Sequence, residues 1–294
     1  YANGVMIMEK CPDLIPEYFS FVRGVVDSSD LSLNISRELL QHDRQLKLIA
    51  KNIEKKINSE LMKMQKDDRE KYEKFFEEFG VQLKFGVYEN FGMNKDKLQD
   101  LILFYSSQEQ KPVTLKEYVL RMKPDQDKIY YATGETTGMI DALPQVDAVK
   151  DKGYEILYMT EAVDEFAVMA IAEYEGKGFV NILSDNFDMG SEEEKEERKK
   201  INEDAGDILE AIKEALGDRV LDVRFTNKLK NYPVCLTSEG ELSIEMEKTL
   251  NAMPTAEKVK AQVVLEINAE HPLAEKLKAL KGNKEKLKDY AEIL

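Results

Sequence analysis

The sharpest candidate for chemistry is an arginine at the start of a predicted helix. Ser36 is a suitable N-cap for the helix that follows it, and a helix start leaves backbone N–H groups that attract anions. Arg37, in the first turn, adds planar guanidinium donors that suit two phosphate oxygens at once, and Gln41 follows one turn later on the same face. The pattern predicts contact with a terminal phosphate. The alternative is a surface arginine paired with Glu38 or Asp30.

The other residue types that carry chemistry are scattered. The 2 histidines, His42 and His271, are too few and too far apart for a metal or triad site, and structural or solvent-facing roles are expected. Cys11 and Cys235 lie near prolines and apolar residues, which favours inert buried thiols over a disulfide or a zinc site. The glycines of residues 134–138 lack the lysine of a phosphate-binding loop and predict a turn. We therefore expect no metal site.

Composition narrows the function classes. The 294 residues include 42 Lys or Arg and 57 Asp or Glu, giving a formal net charge of -15, which argues against nucleic acid as a partner. No apolar run approaches the roughly 20 residues of a membrane-spanning helix, so no membrane partner is expected. The low cysteine count favours a cytoplasmic location. The length predicts two domains, each able to bury a core.

The region around Arg37 reads as strand and loop, followed by helices. Short apolar segments at residues 5–8 and 19–26, broken by prolines and glycine, predict the strands and loops. Further helices are predicted at residues 69–79 and 95–104. Together with the first helix, they form a predicted helical unit over residues 45–105. The first helix shows apolar residues at every third or fourth position, as in an amphipathic helix: Leu46, Ile49, Ile53, Ile57 and Leu61.

Residues 106–195 predict a small α/β unit, because helical and strand patterns alternate there. The predicted elements are helices at residues 115–122 and 142–150 and strands at residues 128–132, 155–158 and 179–183. The charged run at residues 191–200 predicts an exposed helix start or a linker. We place a domain boundary between residues 195 and 196.

Residues 196–294 predict an α+β unit. The predicted elements are helices at residues 205–216 and 241–252, strands at residues 220–225, 234–236 and 262–267, and two lysine-rich helices at the end. The helix from Glu241 carries a narrow apolar stripe made of Leu242, Met246, Leu250 and Met253. Methionine suits adaptable binding surfaces, whereas a helical stripe ordinarily faces a core. Both interpretations stay open.

Several segments, in order along the chain, resemble the ninety-kilodalton heat-shock family of chaperones in its bacterial form. They are residues 16–18 (PEY), 24–38 (GVVDSSDLSLNISRE), 129–135 (IYYATGE) and 266–273 (EINAEHPL). The similarity extends over essentially the whole chain. It implies the end of an α/β middle domain in residues 1–195, with a catalytic-loop region in residues 1–44 and a three-helix linker unit. An α+β carboxy-terminal dimerisation domain is implied for residues 196–294.

The resemblance also implies a role in ATP hydrolysis for the segment around Ser36. In the family, the arginine that matches Arg37 contacts the γ-phosphate of ATP, with the residue that matches Gln41 in support. The adenine pocket and the general base belong to an amino-terminal domain that this chain lacks. ATP with Mg is then the cofactor of the intact protein, an ATP hydrolase, while this chain alone is expected to bind neither and to be inactive.

Client proteins are the second implied partner. The helix from Glu241 matches the family's client-contacting helix, and Phe166 matches a position linked to client contact, although an ordinary packed aromatic residue is an equal alternative. The implied partners of this stress-response chaperone are unfolded or partly folded client proteins, the protein's own amino-terminal domain and a second copy. The competing hypothesis is an α/β scaffold with no independent activity.

Dimerisation is implied for the last helix of the chain. Family members dimerise through a bundle of two carboxy-terminal helices from each protomer. The resemblance implies that the first of these covers residues 283–294 and that the last is missing, so a monomer or a weak dimer is expected. The apolar stripe of the predicted helix at residues 283–294 consists of Leu287, Tyr290, Ile293 and Leu294.

Overall fold

The computed structural model describes residues 1–31, 44–254 and 257–294. They form two compact units. Unit 1 comprises Tyr1–Phe104, Pro112–Glu117 and Phe166–Tyr174, and unit 2 comprises Tyr105–Lys111, Tyr118–Glu165 and Glu175–Leu294. Both contain helices, and the strands belong to two mixed sheets, so the predicted mixture of α and β structure is confirmed. The assignment of named domains stays a prediction.

The described elements begin with helices and continue with a mixture of helices and strands. The α-helices are α1 (Arg44–Asp67), α2 (Arg69–Gly92), α3 (Lys95–Leu98), α4 (Leu115–Arg121), α5 (Thr137–Asp141), α6 (Pro144–Asp151), α7 (Asp164–Ile171), α8 (Glu192–Asp204), α9 (Gly206–Leu216), α10 (Ile244–Ala252), α11 (Pro272–Ala279) and α12 (Lys284–Ala291). The strands are β1 (Leu103–Ser106), β2 (Pro112–Thr114), β3 (Lys128–Thr133), β4 (Leu157–Met159), β5 (Glu173–Tyr174), β6 (Lys177–Asn181), β7 (Asp222–Thr226), β8 (Val234–Glu239) and β9 (Gln262–Asn268). Short 3₁₀ turns lie at Pro12–Leu14, Glu17–Phe19 and Gly217–Arg219.

Unit 1 is built on the long helices α1 and α2. The Asp68 side chain accepts a hydrogen bond from the Lys71 backbone N–H at 3.2 Å and so caps the start of α2. Tyr18 packs directly on α2 at Gly86, where an added Cβ would lie 2.6 Å from the Tyr18 side chain. Its hydroxyl donates to Glu54 of α1 at 2.7 Å. Tyr18 therefore contacts both helices from the preceding turn. The predicted amphipathic helix is confirmed as α1, which buries Leu46 and Leu61.

One prediction for unit 1 is wrong, and another holds only in part. Residues 95–104 do not form one helix, because α3 ends at Leu98 and β1 begins at Leu103. The run from Leu101 to Phe104 is apolar and buried throughout, and an unbroken apolar run fits a buried strand as well as a helix. Residues 5–8 and 19–26, predicted as strand and loop, contain the loops but no strand. Val5 makes only an isolated bridge with Ala2, and Phe19 ends a 3₁₀ turn.

The larger sheet of unit 2 confirms the predicted α/β alternation. Strands β1, β4, β3 and β6 lie side by side in that order, with β3 parallel to both of its neighbours and β1 antiparallel to β4. At the centre, Tyr131 of β3 is in register with Leu157 of β4 and Asn181 of β6. Helices α5 and α6 bury Ile140 and Val146 in the core associated with this sheet.

A smaller sheet with the order β7-β9-β8 carries the rest of unit 2. Strand β9 is parallel to β7 and antiparallel to β8. One core combines Phe225 and Ile267 from the strands with Ile212, Leu277 and Leu287 from α9, α11 and α12. The predicted α+β pattern is therefore found in this part of unit 2.

The charged run at residues 191–200 begins α8. Ser191 and Glu194 form a reciprocal capping box, with bonds of 3.2 Å and 2.6 Å. The Asn202 side chain accepts from the Phe225 backbone N–H at 2.7 Å and donates to its carbonyl at 2.9 Å, which fastens α8 to β7. The boundary predicted between residues 195 and 196 falls inside this helix and stays a prediction.

Across the three described ranges of the chain, no helix combines the length and the apolar character needed to cross a lipid bilayer.

Candidate functional site

The predicted phosphate contact lies outside the described residues, since these omit Arg37 and Gln41 together with Ser36, Glu38 and His42. The described residues on either side of residues 32–43 are close together. Leu31 and Leu46 are buried in one small apolar cluster with Ala2. The Asp30 carboxylate also accepts a hydrogen bond from the Gln45 side chain at 3.2 Å. The fold therefore fixes both flanks of the segment that carries Arg37.

The predicted apolar stripe from Leu242 to Met253 does not face one environment. Met246 is buried, with 6% of its surface exposed, whereas Met253 is 47% exposed. Leu242 and Leu250 are half-buried. The stripe therefore has an inward part that belongs to the fold and an outward part at its carboxyl end that is open to a ligand.

The start of α10 is set by a buried polar contact that sequence reasoning missed. The helix begins at Ile244 rather than at the predicted Glu241, because Ser243 is the N-cap and accepts from the Met246 backbone N–H at 3.0 Å. The Ser243 hydroxyl also donates a hydrogen bond to the carboxylate of Glu165, at the start of α7. Glu165 and Ser243 lie far apart in sequence, and only the fold brings them together.

Glu165 is a carboxyl group in an unusual environment. It is 5% exposed and accepts further hydrogen bonds from Asn181 at 3.2 Å and from the Tyr131 hydroxyl at 3.5 Å. Burial raises its pKa to about 6. The hydrogen bonds from Ser243, Asn181 and Tyr131 act in the opposite direction and lower the pKa, but burial is the larger effect. An acidic pair inside the apolar segment of residues 163–168 was the available sequence signal.

An apolar groove lies beside the start of α10. Its cavity has a volume of about 370 Å³, within the size range of protein ligand sites. Two of its apolar residues are open to solvent, Met139 at 55% and Leu236 at 49%. We define the apolar groove by Met139, Leu143, Leu236, Ile244 and Lys248.

Phe166 is half-buried and belongs to unit 1, whereas α10 belongs to unit 2. Its ring contacts the Tyr88 ring edge-on, with 5.4 Å between centroids. The predicted client residues are therefore divided between the units, and Tyr88 is a neighbour that sequence reasoning did not identify.

The predicted dimerisation residues also divide. Leu287 is 2% exposed and lies in the core of unit 2, where Tyr290 and Leu294 pack against the same cluster. Ile293 is 82% exposed. Helix α12 ends at Ala291, so Ile293 and Leu294 lie just beyond it. Three of the four predicted residues thus contact the chain's own core, with Leu287 buried and Tyr290 and Leu294 half-buried.

Cys235 and His271 each have partners within the fold. Cys235 is buried beside Glu266, and burial raises the pKa of its thiol to about 12. The expected burial is therefore confirmed for Cys235, whereas Cys11 is only half-buried, and the inertness of both thiols stays a prediction. His271 caps α11 by accepting from the Leu273 backbone N–H at 3.2 Å. Within the described part of the chain, no group of three or more His, Cys, Asp or Glu side chains is placed to hold a metal ion.

Comparisons with known proteins cover the whole chain. The family model described as Hsp90 protein matches residues 1–294. The chain is 58% identical over 295 residues to the chaperone protein HtpG of Clostridium perfringens and, equally, to that of Clostridium acetobutylicum. It is 56% identical over 296 residues to the chaperone protein HtpG of Oceanobacillus iheyensis. Each match covers 100% of this chain and 47% of the relative, so the chain spans about half the length of the curated relatives it matches.

Proposed function

The chain belongs to the Hsp90 protein family, and from this premise we propose that it is the client-binding and dimerisation portion of an ATP-dependent chaperone that assists protein folding. The relatives it matches are named chaperone proteins. Its clients would be unfolded or partly folded proteins, and its place of action the cytoplasm. The competing proposal is an α/β scaffold without activity of its own.

The observation that carries this proposal is the apolar groove beside α10. Met139 and Leu236 present large apolar side chains to solvent at one place, and an exposed apolar cluster of this kind marks an interaction site. Met253, the C-cap residue of α10, is a second exposed methionine in this part of the chain. Methionine adapts its shape at little cost, which suits a site that must accept many sequences.

The groove offers no array of donors and acceptors that would select one small molecule. Its charged members are Glu135, Glu245 and Lys248, and most of its other lining side chains are apolar, so apolar contact is the main source of affinity. Burial of apolar area contributes roughly 25 cal/mol per Å² before the costs of association. A binding mode of this kind selects exposed apolar side chains, which folded proteins bury and unfolded ones expose.

The ATP-linked part of the proposal rests on Arg37, with support from Gln41. The planar guanidinium of Arg37 suits two oxygens of the γ-phosphate at once. ATP with Mg would be held by the amino-terminal domain of the whole protein, where its hydrolysis supplies the free energy for the chaperone cycle. Arg37 would stabilise negative charge on the phosphate, and Gln41 would orient the arginine.

Self-association is proposed for the end of the chain, through a smaller surface than its apolar spacing predicts. Leu287 already stabilises the core of unit 2. Ile293, which is exposed, is the apolar residue left to contact a second copy. Part of the interface must then come from elsewhere in the whole protein.

A binding experiment on the groove tests the proposed function. We expect the 294-residue chain to bind a fluorescent, permanently unfolded protein, and Leu236→Asp to weaken that binding at least tenfold by placing a charge in the groove. Leu221→Asp is the matched control, because Leu221 is also exposed but does not line the groove. Equal binding by both variants would favour the scaffold proposal.

A further inference from the structure

Unit 2 contains a second cavity, distinct from the apolar groove beside α10. Its volume is about 320 Å³, within the size range of protein sites for small molecules. Of the described residues, Gln145 alone lines both this cavity and the cavity of the groove. We define the sheet cavity by Gln145, Ala148, Phe187, Lys228, Thr237 and Glu266.

One face of the smaller sheet supplies a wall of the sheet cavity. Glu266 of β9 is in register with Cys235 of β8, and Thr237 follows Cys235 by two residues, so Glu266 and Thr237 lie on the same face. Leu265 and Ile267, the neighbours of Glu266 along β9, are buried in the core on the opposite face. Because β9 is the central strand of this sheet, strands on both sides fix the position of the Glu266 carboxylate.

One face of α6 supplies another wall. Gln145 and Ala148 are three residues apart, which places them on the same face, and Lys152, the C-cap residue, follows one turn later. The Gln145 side-chain amide donates to the Leu236 carbonyl oxygen at 3.3 Å. Lys152 donates to the Met189 carbonyl oxygen at 2.7 Å. Both ends of this face are therefore attached to the backbone of neighbouring segments.

The charged side chains that line the sheet cavity balance one another. Four are basic and four are acidic. Arg198 pairs with Asp188, and Lys230 pairs with Asp151. Since these cations and anions are already paired, a ligand with a net charge would lose its hydration in the cavity without gaining an unpaired counter-charge. The cavity therefore favours an uncharged ligand.

The Glu266 carboxylate, in contrast, has too few hydrogen-bond donors. Glu266 is 2% exposed, and an ionised carboxylate has about four acceptor positions. Lys228 Nζ lies 3.7 Å from this carboxylate and donates instead to the carbonyl oxygens of residues 185 and 187, at 3.4 Å and 3.1 Å. The Cys235 thiol, at 3.9 Å, is a weak donor. A donor from a ligand would therefore improve the surroundings of Glu266.

Two further oxygen atoms of the lining residues also lack donors. The Thr237 hydroxyl and Oε1 of Gln145 are buried and have no hydrogen-bond partner among the residues that the structure describes. Buried polar groups without a partner are uncommon in folded proteins and costly to stability. The sheet cavity thus combines an excess of acceptors with apolar wall residues, among them Ala148, Phe187 and Leu229.

We propose that the sheet cavity binds a small uncharged molecule with an apolar body and a hydroxyl or amide group. The hydroxyl or amide hydrogen is donated to Glu266, because a hydrogen bond to a charged acceptor is stronger than one to a neutral acceptor. The apolar body contacts Ala148, Phe187 and Leu229. This site does not depend on the binding of unfolded proteins, and its ligand is a small molecule rather than a protein segment.

Three indole compounds of similar size test the ligand class by fluorescence anisotropy. The chain contains no tryptophan, so indole can be excited selectively. The probes are uncharged tryptophol, the cation tryptamine and the anion indole-3-acetate. We expect tryptophol to bind the wild-type chain with a Kd of about 1 mM or lower, and both charged probes to bind at least about tenfold more weakly. No binding of tryptophol, or equal binding of all three probes, would overturn the proposal.

Two variants test the location of the site. Ala148→Leu should weaken tryptophol binding about tenfold, because the larger side chain fills part of a cavity of this size. Ala142→Leu is the matched control, since Ala142 is an exposed alanine just before α6 that does not line the sheet cavity, and it should bind like the wild type. Unchanged tryptophol binding by Ala148→Leu would overturn the site.

Glu266→Gln tests the role of the carboxylate. It should weaken tryptophol binding and strengthen binding of indole-3-acetate, because Lys228 then lacks an acidic neighbour in the cavity. A variant that was merely misfolded would bind every probe more weakly, and circular dichroism checks the folding independently. A folded Glu266→Gln variant with the same order of preference as the wild type would contradict the contact with Glu266.

Discussion

Ser243, the residue that caps α10, donates its hydroxyl hydrogen to the buried carboxylate of Glu165 at the start of α7. The start of a helix proposed to contact clients is thus hydrogen-bonded to a carboxyl group whose pKa burial raises to about 6. The same carboxylate accepts from Asn181 of β6. Protonation of Glu165 therefore bears on how firmly the start of α10 is held.

Replacing Glu165 is predicted to change the pH dependence of stability. Burial raises its pKa from 4.5 to about 6, so the folded state holds the proton more tightly than the unfolded chain does. The contribution of Glu165 to stability is fully present below pH 4.5 and is lost as the pH rises through about 6. We expect Glu165→Gln to exceed the wild type in stability by about 2 kcal/mol at pH 7.5, and by little at pH 4.

Denaturant unfolding across this pH range measures the difference. Glu161→Gln is the control, because it removes one carboxylate from an exposed position close by in sequence. A difference between Glu165→Gln and the wild type that does not change with pH would mean that the buried carboxylate is ionised without cost. Ser243→Ala should cost about 1 kcal/mol through loss of the helix cap.

The α12 residues are predicted to differ in their effect on stability. Leu287→Ala should destabilise the chain by about 2–5 kcal/mol, because it removes a buried side chain from the core of unit 2. Ile293→Ala should change stability by less than about 0.5 kcal/mol, since Ile293 is exposed. Thermal and denaturant unfolding check both values. A small effect of Leu287→Ala would mean that Leu287 does not stabilise this core and is free to contact a second copy.

Arg37 is predicted to act on turnover rather than on nucleotide binding. In the whole protein, Arg37→Ala should slow ATP hydrolysis about a hundred- to a thousandfold, the scale of losing one preorganised contact to transition-state charge, with nearly unchanged ATP affinity. Steady-state hydrolysis and a nucleotide titration measure the two quantities. Unchanged ATP turnover in the Arg37→Ala variant would contradict a catalytic role for Arg37. This chain by itself should hydrolyse no ATP, and detectable hydrolysis would contradict the assignment of the general base to another domain.

Local patterns predicted many elements, because apolar periodicity and caps act over a few residues. The stripe of α1 and the end of α9 at Gly217, with φ of 56°, follow from such patterns. The patterns failed at the buried run of residues 101–104. When every residue in a run is apolar, there is no periodicity by which a helix can be distinguished from a strand. It also hid the strand β1.

The candidate site was less predictable, because its contacts join distant segments. The spacing of Leu287 and Tyr290 shows that one helix face is apolar, yet it cannot say whether the covering surface is the chain's own core or a second copy. Glu165 and Ser243 meet only in the folded unit. The sequence predicted that the stripe from Leu242 to Met253 is apolar. Which of its residues are buried, as Met246 is, and which are exposed, as Met253 is, depends on the elements packed against the helix.

Suppression of aggregation most directly tests the central claim, that α10 and the groove beside it bind unfolded proteins. Light scattering of a chemically denatured enzyme, diluted into the wild-type chain, should fall in proportion to the chain added. Leu250→Ser with Met253→Ser should lose most of that suppression, while Leu221→Ser, at an exposed position elsewhere in unit 2, should keep it. Equal suppression by both variants, or none by the wild type, would contradict the account.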